Sequence, residues 1–199
     1  GMITTNDREL YLLAREYHDH GHMGNENLPR GRDTHRIHGF NYRMTEIQAV
    51  IAKVQLKKLD YIVKKNRENY SILQSALSEI NGLKFRKIPN QCEPLCDTLI
   101  IQLDSKEVAE RLVESFAVEG IGTKNLPDAI EWHFAKYWDH MLDSFEMNNN
   151  ELESFLKPSS QIIEKCVAIP IFVKTDKEDM FKKAKKIKKL INEVVKNNE

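Results

Sequence analysis

Histidines recur at every second position in the segment His18-Asp19-His20-Gly21-His22, a pattern that could ligate a metal ion. Zinc sites need ligands in a fixed geometry, with hydrogen-bonded groups supporting them from behind. Alternate histidines beside a glycine in a polar stretch are flexible and do not provide such a fixed geometry. The favoured interpretation is therefore a polar loop without a metal, to which His35 and His38 could add an attraction for anions.

Six lysines between positions 182 and 189 could in principle bind nucleic acid. They alternate with apolar residues of a predicted helix, so they form the solvated face of that helix. That face carries no interleaved aromatic residues on which bases could stack. Thirty basic and thirty acidic residues cancel over the whole chain, so no net field attracts nucleic acid or a membrane. We expect neither as a partner.

The remaining composition is that of an ordinary globular protein, with 41% hydrophobic and 30% charged residues in 199. The chain has three cysteines, Cys92, Cys96 and Cys166, whose spacing does not match that of metal ligands. Three cysteines cannot all pair in disulfides within one chain, so a reduced, cytoplasmic protein is predicted. No apolar run approaches the roughly 18 residues of a spanning helix, and no signal peptide is visible. Gly1-Met2 is either a tag remnant before a native start or the interior of a longer chain.

Three helices are predicted within the first eighty residues. A short β-prone run at 2–4 is followed by Thr5-Asn6-Asp7, which predicts the start of a helix that reaches about Tyr17. Residues 18–40 form a long polar loop, and loops of that length are usually functional or disordered. Thr45-Glu46-Ile47-Gln48 is a capping box that starts a helix, and a further helix runs over about 59–80. The residues expected inward on the first helix are Leu10, Leu13 and Tyr17; those at helical spacing on the second are Ile47, Val50, Ile51 and Val54.

The sequence pattern changes after Gly82, where we place a domain boundary. Ser105 is expected to cap a helix through Glu119, and Asp176 to begin the last helix. An aromatic segment spans 132–138, and a polar turn is expected at 148–150. Strands are predicted over 83–88, 98–103 and 166–172. The stripe expected inward on the last helix is Phe181, Ala184, Ile187, Ile191 and Val194.

The segment from Gly39 to Ala49, GFNYRMTEIQA, closely resembles a signature of the DegT/DnrJ/EryC1/StrS aminotransferases, which aminate keto-sugars. We call it the signature segment. Its surroundings agree in order: the Met2-Ile3 strand, the His20-Gly21 helix end, Gly120-Ile121-Gly122 and Ala168-Ile169-Pro170 resemble family landmarks. The resemblance covers nearly the whole chain, but only about the C-terminal half of a family member.

The resemblance implies an α/β fold, namely the C-terminal part of the type I aminotransferase architecture. Residues 1–81 would be the end of the large domain with its long helices. Residues 82–199 would be the small α+β domain, with helices on a short, largely antiparallel sheet. Family members use pyridoxal 5'-phosphate and share sites between the subunits of a homodimer, which we therefore expect here.

The catalytic lysine that links covalently to the cofactor lies, in the family, shortly before the strand at Met2, hence upstream of residue 1. This chain is therefore not expected to bind the cofactor covalently. The resemblance implies that Asn41 reaches the cofactor phosphate of the partner subunit. Arg43 matches the signature arginine, which could pair with that phosphate or anchor the loop. A helix entry turn would also explain these two residues. His133 matches a position near substrate phosphates, and packing between its aromatic neighbours is the alternative.

Two functions remain open at this point. The first is the C-terminal half of a sugar aminotransferase that is inactive alone, which a separate N-terminal half-chain would complete. The second is a non-enzymatic dimerising or regulatory remnant of the same family. Upstream coding sequence with the cofactor lysine would favour the first.

Overall fold

The computed structural model describes residues 3–127, 129–141 and 148–196. The chain forms two compact units, which we call the first unit, Gly1–Lys58, and the second unit, Leu59–Glu199. The predicted boundary at Gly82 falls inside the second unit, because the helix before it packs with elements that follow it. Assignment of residues 1–81 to a large domain stays a prediction about the complete fold.

The first unit contains two helices, α1 (Arg8–His18) and α2 (Glu46–Leu56). Both starts were predicted correctly: the Asp7 carboxylate accepts backbone hydrogen bonds at the start of α1, and the capping box of Thr45 and Gln48 is complete. The predicted burial on α1 is wrong for Leu10 and Tyr17, whose surfaces are about half exposed (50% and 45%). The buried residue of α1 is the charged Glu16. Of the predicted strand at 2–4, position 2 lies outside the described residues, and Ile3 and Thr4 are not in a strand.

The second unit is built on a three-stranded antiparallel sheet in the order β1-β2-β3, with β1 at Lys84–Phe85, β2 at Thr98–Gln102 and β3 at Cys166–Pro170. Strand β1 is shorter than predicted, and only two of its residues pair with β2. Strand β3 ends at Pro170, which donates no backbone hydrogen bond.

Three helices close the core of the second unit: α3 (Leu59–Leu77), α4 (Lys106–Val118) and the last helix, Lys177–Lys196. Helix α3 packs against β2 and the last helix, and α4 packs against β3 and the last helix. Ser105 caps α4 as predicted. The predicted inward stripe of the last helix is confirmed except at Phe181, which is half exposed; Met180 is buried instead.

Between α4 and the last helix, the described residues include two further α-helices: α5 (Ile130–His133), in the predicted aromatic segment, and α6 (Asn149–Ile163). The sequence prediction had only a polar turn at the start of α6. The missed signal is a capping box, in which Asn148 and Glu151 satisfy each other's backbone donors. The last helix is therefore α7 (Lys177–Lys196). Fold class and strand arrangement agree with the small α+β domain expected from the resemblance.

Candidate functional site

The signature segment is fixed against the end of α1 by backbone hydrogen bonds. The amide of Phe40 donates to the carbonyl of Tyr17 (2.8 Å), and the amide of His20 donates to the carbonyl of Phe40 (3.0 Å). The amide of Tyr42 donates to the carbonyl of His18 (2.9 Å). This short antiparallel pairing sets Asn41 beside Asp19. The entry turn of α2 and the end of α1 thus position the candidate site together.

Two glycines make this close approach possible. Gly21 has a positive φ of +83°, and a Cβ there would lie 2.2 Å from the carbonyl oxygen of Ile37. A Cβ on Gly39 would lie 2.2 Å from the amide nitrogen of Gly21 and 2.7 Å from the carbonyl carbon of His20. These contacts are with backbone, which cannot move aside as a side chain can. The glycines at the end of α1 and at the head of the signature segment are therefore needed together.

Asn41 and Arg43 lie in direct contact. The guanidinium Nε of Arg43 donates to the side-chain oxygen of Asn41 (3.0 Å) and lies 3.2 Å from a carboxylate oxygen of Asp19. A guanidinium only donates, so the contact fixes which end of the Asn41 amide is the oxygen. Within the described part of the chain the amide nitrogen of Asn41 donates to no other group, so its two hydrogens remain available. This is the donor that a phosphate oxygen requires.

A second arginine adds positive charge next to this pair. Arg30 donates to both carboxylate oxygens of Asp19, at 3.0 and 2.8 Å. Asp19 therefore compensates one of the two guanidinium groups that surround it, Arg30 and Arg43, and a net positive charge remains. Both arginine side chains are partly exposed. An anion that approaches Asn41 thus meets a locally cationic surface.

The polar loop is ordered by buried and half-buried carboxylates. Arg36 donates to Glu16 (2.7 Å) and to Glu9 (2.6 Å), and the hydrogen bond to Glu16 is the largest cause of the raised pKa of Arg36. Asp33 accepts backbone hydrogen bonds from Asn25 and Gly24, and these bonds, that of Asn25 first, lower the pKa of Asp33. Sequence reasoning missed these anchors, because spacing alone does not pair residues that lie 8 to 27 positions apart.

The histidines of the polar loop pack with one another. The rings of His22 and His35 lie 4.4 Å apart between centroids, and His22 lies 3.6 Å from Asp33. Among the described residues, no group of three or more histidine, cysteine or acidic side chains is placed to hold a metal ion. Here these side chains serve to connect the two arms of the loop.

Aromatic rings flank Asn41 on both sides along the chain. The rings of Phe40 and Tyr42 stack at 5.5 Å, and Tyr17 contacts both at 5.5 and 6.1 Å. All three side chains are substantially exposed. The site is therefore an amide donor and two cations set among uncovered aromatic rings, an arrangement that could receive a phosphate carried on a flat ring.

His133, the predicted substrate residue, ends α5 in the second unit and is exposed. It makes no ring contact with its neighbours among the described residues; nearby, the indole nitrogen of Trp138 donates to the carbonyl of Trp132 (3.2 Å). The structure therefore brings Asn41 and Arg43 together within one unit, whereas His133 belongs to the other. Its role stays a prediction.

Known proteins resemble this chain in sequence and in fold. The sequence model of the DegT/DnrJ/EryC1/StrS aminotransferase family matches residues 1–193. GDP-perosamine synthase of Caulobacter vibrioides is 45% identical over 60 residues, which are 30% of this chain and 15% of that protein.

Two solved structures show the same fold at low identity. The aminotransferase TlmJ of Streptoalloteichus hindustanus is 16% identical, with a TM-score of 0.68 over 95% of this chain and 47% of that one. PseC of Helicobacter pylori, an aminotransferase involved in the biosynthesis of pseudoaminic acid, is 18% identical, with a TM-score of 0.69 over 95% and 48%. The chain spans about half the length of these solved relatives.

The described helices include none with the length and apolar character needed to cross a membrane.

Proposed function

We propose that this chain, which belongs to the DegT/DnrJ/EryC1/StrS aminotransferase family, supplies the C-terminal half of a sugar aminotransferase that uses pyridoxal 5'-phosphate. Its first unit would lend Asn41 and Arg43 to the cofactor phosphate of a partner subunit. Its second unit would provide the small domain, with His133 near the substrate. The amino group would pass to a keto-sugar, either a nucleotide sugar or a related carbohydrate.

The observation that carries the proposal is the orientation of the Asn41 amide. Arg43 occupies the oxygen of that amide at 3.0 Å, so its nitrogen is available to donate. A neutral amide donor beside cationic groups fits a phosphate dianion, whereas a carboxylate in its place would repel one. The residues present therefore fit the cofactor's phosphate.

Arg43 would act on the phosphate partly through Asn41. Its Nε is engaged with Asn41 and Asp19. The terminal nitrogens of a guanidinium are further donors, and they add charge from the same side. The two alternatives for Arg43, pairing with phosphate and anchoring the loop, are thus compatible within one side chain.

When bound, pyridoxal 5'-phosphate supplies an electron sink for the transfer of the amino group. The lysine that links to it would come from the other half of the fold, not from these 199 residues. That half would be joined to this one or supplied as a separate chain, and the complete protein would be a homodimer with shared sites. The three free cysteines fit a cytoplasmic location.

A complementation experiment tests the proposal. The N-terminal half of a family member would be supplied, fused or as a separate chain, and cofactor retention would be followed by absorbance after gel filtration. Asn41→Ala should weaken cofactor binding by about 1–3 kcal/mol, the range for one lost hydrogen bond to a charged group. Asn27→Ala, in the same polar loop, serves as the matched control and should leave retention unchanged.

Two results would contradict the proposal. Unchanged cofactor retention in the Asn41→Ala protein would mean that Asn41 only forms the entry turn of α2 and does not bind the cofactor phosphate. Stoichiometric attachment of the cofactor to one lysine of the isolated chain, trapped by borohydride and mapped by mass spectrometry, would show that this half carries its own covalent site.

A second candidate function is a non-enzymatic dimerising or regulatory module, and the exposed apolar face of α2 favours it. We define this face as Ile47, Val50, Ile51 and Val54, all at least 47% exposed. An apolar patch of this kind marks an interaction surface. Self-association of the chain without any cofactor effect of Asn41→Ala would support this function over the first.

A further inference from the structure

The second unit contains a cavity of about 670 Å³ that the proposed function does not use. It lies between the turn after α4, the end of β3 and the first turns of α7. Apolar atoms make up most of its wall. Its lining consists of Gly120, Ile121, Gly122, Thr123, Lys124, Pro170, Phe172, Lys182, Lys183 and Lys186. We call it the lysine cavity.

The lysine cavity is cationic, since four of its lining residues are lysines and none is acidic. Three of these lysines are neutralised by carboxylates outside the lining. The pairs are Lys124 with Asp97 (2.5 Å), Lys182 with Glu178 (2.8 Å) and Lys186 with Glu119 (2.6 Å).

Lys183 differs from the other three. Its ammonium lies 3.5 Å from the carbonyl oxygen of Pro170 and 5.3 Å from the centre of the Phe172 ring. It has no carboxylate within ion-pair distance among the described residues. Burial lowers the pKa of Lys183, because the charged form loses water without gaining an opposite charge. The cavity thus holds one partly desolvated, uncompensated cation.

We propose that the lysine cavity binds a small organic anion with an apolar body, whose carboxylate pairs with Lys183. An opposite charge would compensate the ammonium, and the low local polarity would strengthen the pair. The apolar body would lie against Ile121 and Phe172. The volume is within the range of about 300–1,000 Å³ that is usual for small-ligand sites.

The glycine turn leaves the mouth of the cavity open. A Cβ added at Gly120 or Gly122 would meet no atom within 4 Å, so these positions border free space instead of packed chain. The side of the turn at Gly120 and Gly122 is therefore open to a flat body of two fused rings. The proposal concerns the second unit only and does not depend on the aminotransferase function.

Titration with 2-naphthoate tests the site. Binding is measured by calorimetry and by the NMR shifts of the Gly120 and Gly122 amides. The full chain is used at neutral pH. The expected result is saturable binding of one naphthoate, with shifts concentrated at those two amides. 2-Naphthamide has the same rings without the charge, and acetate has the charge without the rings; both should bind at least about tenfold more weakly, a difference of about 1.4 kcal/mol.

Matched substitutions on α7 separate the site from general attraction to lysines. Lys183→Met should weaken naphthoate binding at least tenfold, and Lys183→Arg should retain most of it because the cation remains. Lys185→Met, which removes an exposed ammonium of α7 that lies outside the lining of the cavity, should leave binding unchanged. An NMR spectrum of each variant checks that it is folded.

Three results would overturn the proposal. Absence of saturable naphthoate binding at millimolar concentration removes the site. Equal binding of naphthamide shows an apolar crevice without anion recognition. Equal losses in the Lys185→Met and Lys183→Met proteins show a diffuse effect of helix charge.

Discussion

The two compact units are stabilised in different ways. The second unit buries a continuous apolar core, with Leu73, Leu99, Leu112 and Phe116 fully inaccessible. In the described part of the first unit, residues 3–58, only Glu16 and Gly21 are buried. There, backbone pairing and ion pairs order the loop, while the apolar side chains of α2 face outward.

This difference indicates which unit is complete in itself. Apolar burial supplies most of the free energy of folding, so the second unit has the means to fold from its own residues. Hydrogen bonds and exposed ion pairs contribute less, because water competes for the same groups. We therefore expect the first unit to be the less stable of the two and to gain stability when another surface covers its exposed apolar side chains.

The largest expected effect is in the core of the second unit. Phe116→Ala should lower the free energy of unfolding by about 3–5 kcal/mol, because it leaves a cavity among packed side chains. Val118→Ala, on the same helix but 86% exposed, should change it by less than about 0.5 kcal/mol. Urea unfolding followed by circular dichroism measures both, and equal effects would mean that the core of the second unit is not closed.

The next largest effect is expected where the two glycines meet. Gly39→Ala should destabilise the first unit by about 1–3 kcal/mol, as overpacking against rigid atoms does. Its Cβ would lie 2.2 Å from the amide nitrogen of Gly21, whereas a Cβ on Gly31 would meet nothing within 4 Å. Gly31→Ala is thus the matched control. Hydrogen exchange of the Phe40 and Tyr42 amides measures the effect, and equal protection in both variants would contradict the contact.

Local sequence signals predicted the starts of α1, α2 and α4, although the equally local capping box at Asn148 was missed. The caps at Asp7, Thr45 and Ser105 start helices at the expected residues, because a cap depends only on neighbours three positions away. The inward residues of α1 were not predictable in this way. Which face is buried depends on what packs against it, and on α1 it is Glu16, paired with Arg36, that is buried.

The candidate site was predictable in part for the same reason. The resemblance of the signature segment indicated Asn41 and Arg43, and the structure adds that they contact each other and Asp19. The pairing of Arg30 with Asp19 is a contact between residues eleven positions apart inside a loop. Hydrophobic periodicity contains no information about such contacts, so they required the three-dimensional structure.

A smaller, local effect is expected on acidification of the polar loop. Backbone hydrogen bonds from Asn25, Gly24 and Thr34 lower the pKa of Asp33 below its ordinary 3.8. Asp33 therefore adds stability above the unfolded pKa, and this contribution is lost as the pH falls through the folded pKa. The amide shifts of Gly24 and Asn25 should titrate with a midpoint below 3.8. Asp33→Asn should abolish the titration, and a midpoint above 3.8 would contradict the assignment.

The smallest effect on the free energy of unfolding is expected on the apolar face of α2, which is exposed in the first unit, whereas the second unit buries its apolar core. Ile51 is 57% exposed, so Ile51→Ser should change the stability of a monomer by less than about 0.5 kcal/mol. If α2 meets a second copy of the chain, burying about 800 Å² on each partner, the same substitution should weaken self-association severalfold. Val118→Ser, at an exposed position of the second unit, should not alter assembly. Sedimentation at micromolar concentration measures the difference between the unsubstituted chain and the two variants. If all three proteins are monomers, no second copy covers the apolar face of α2.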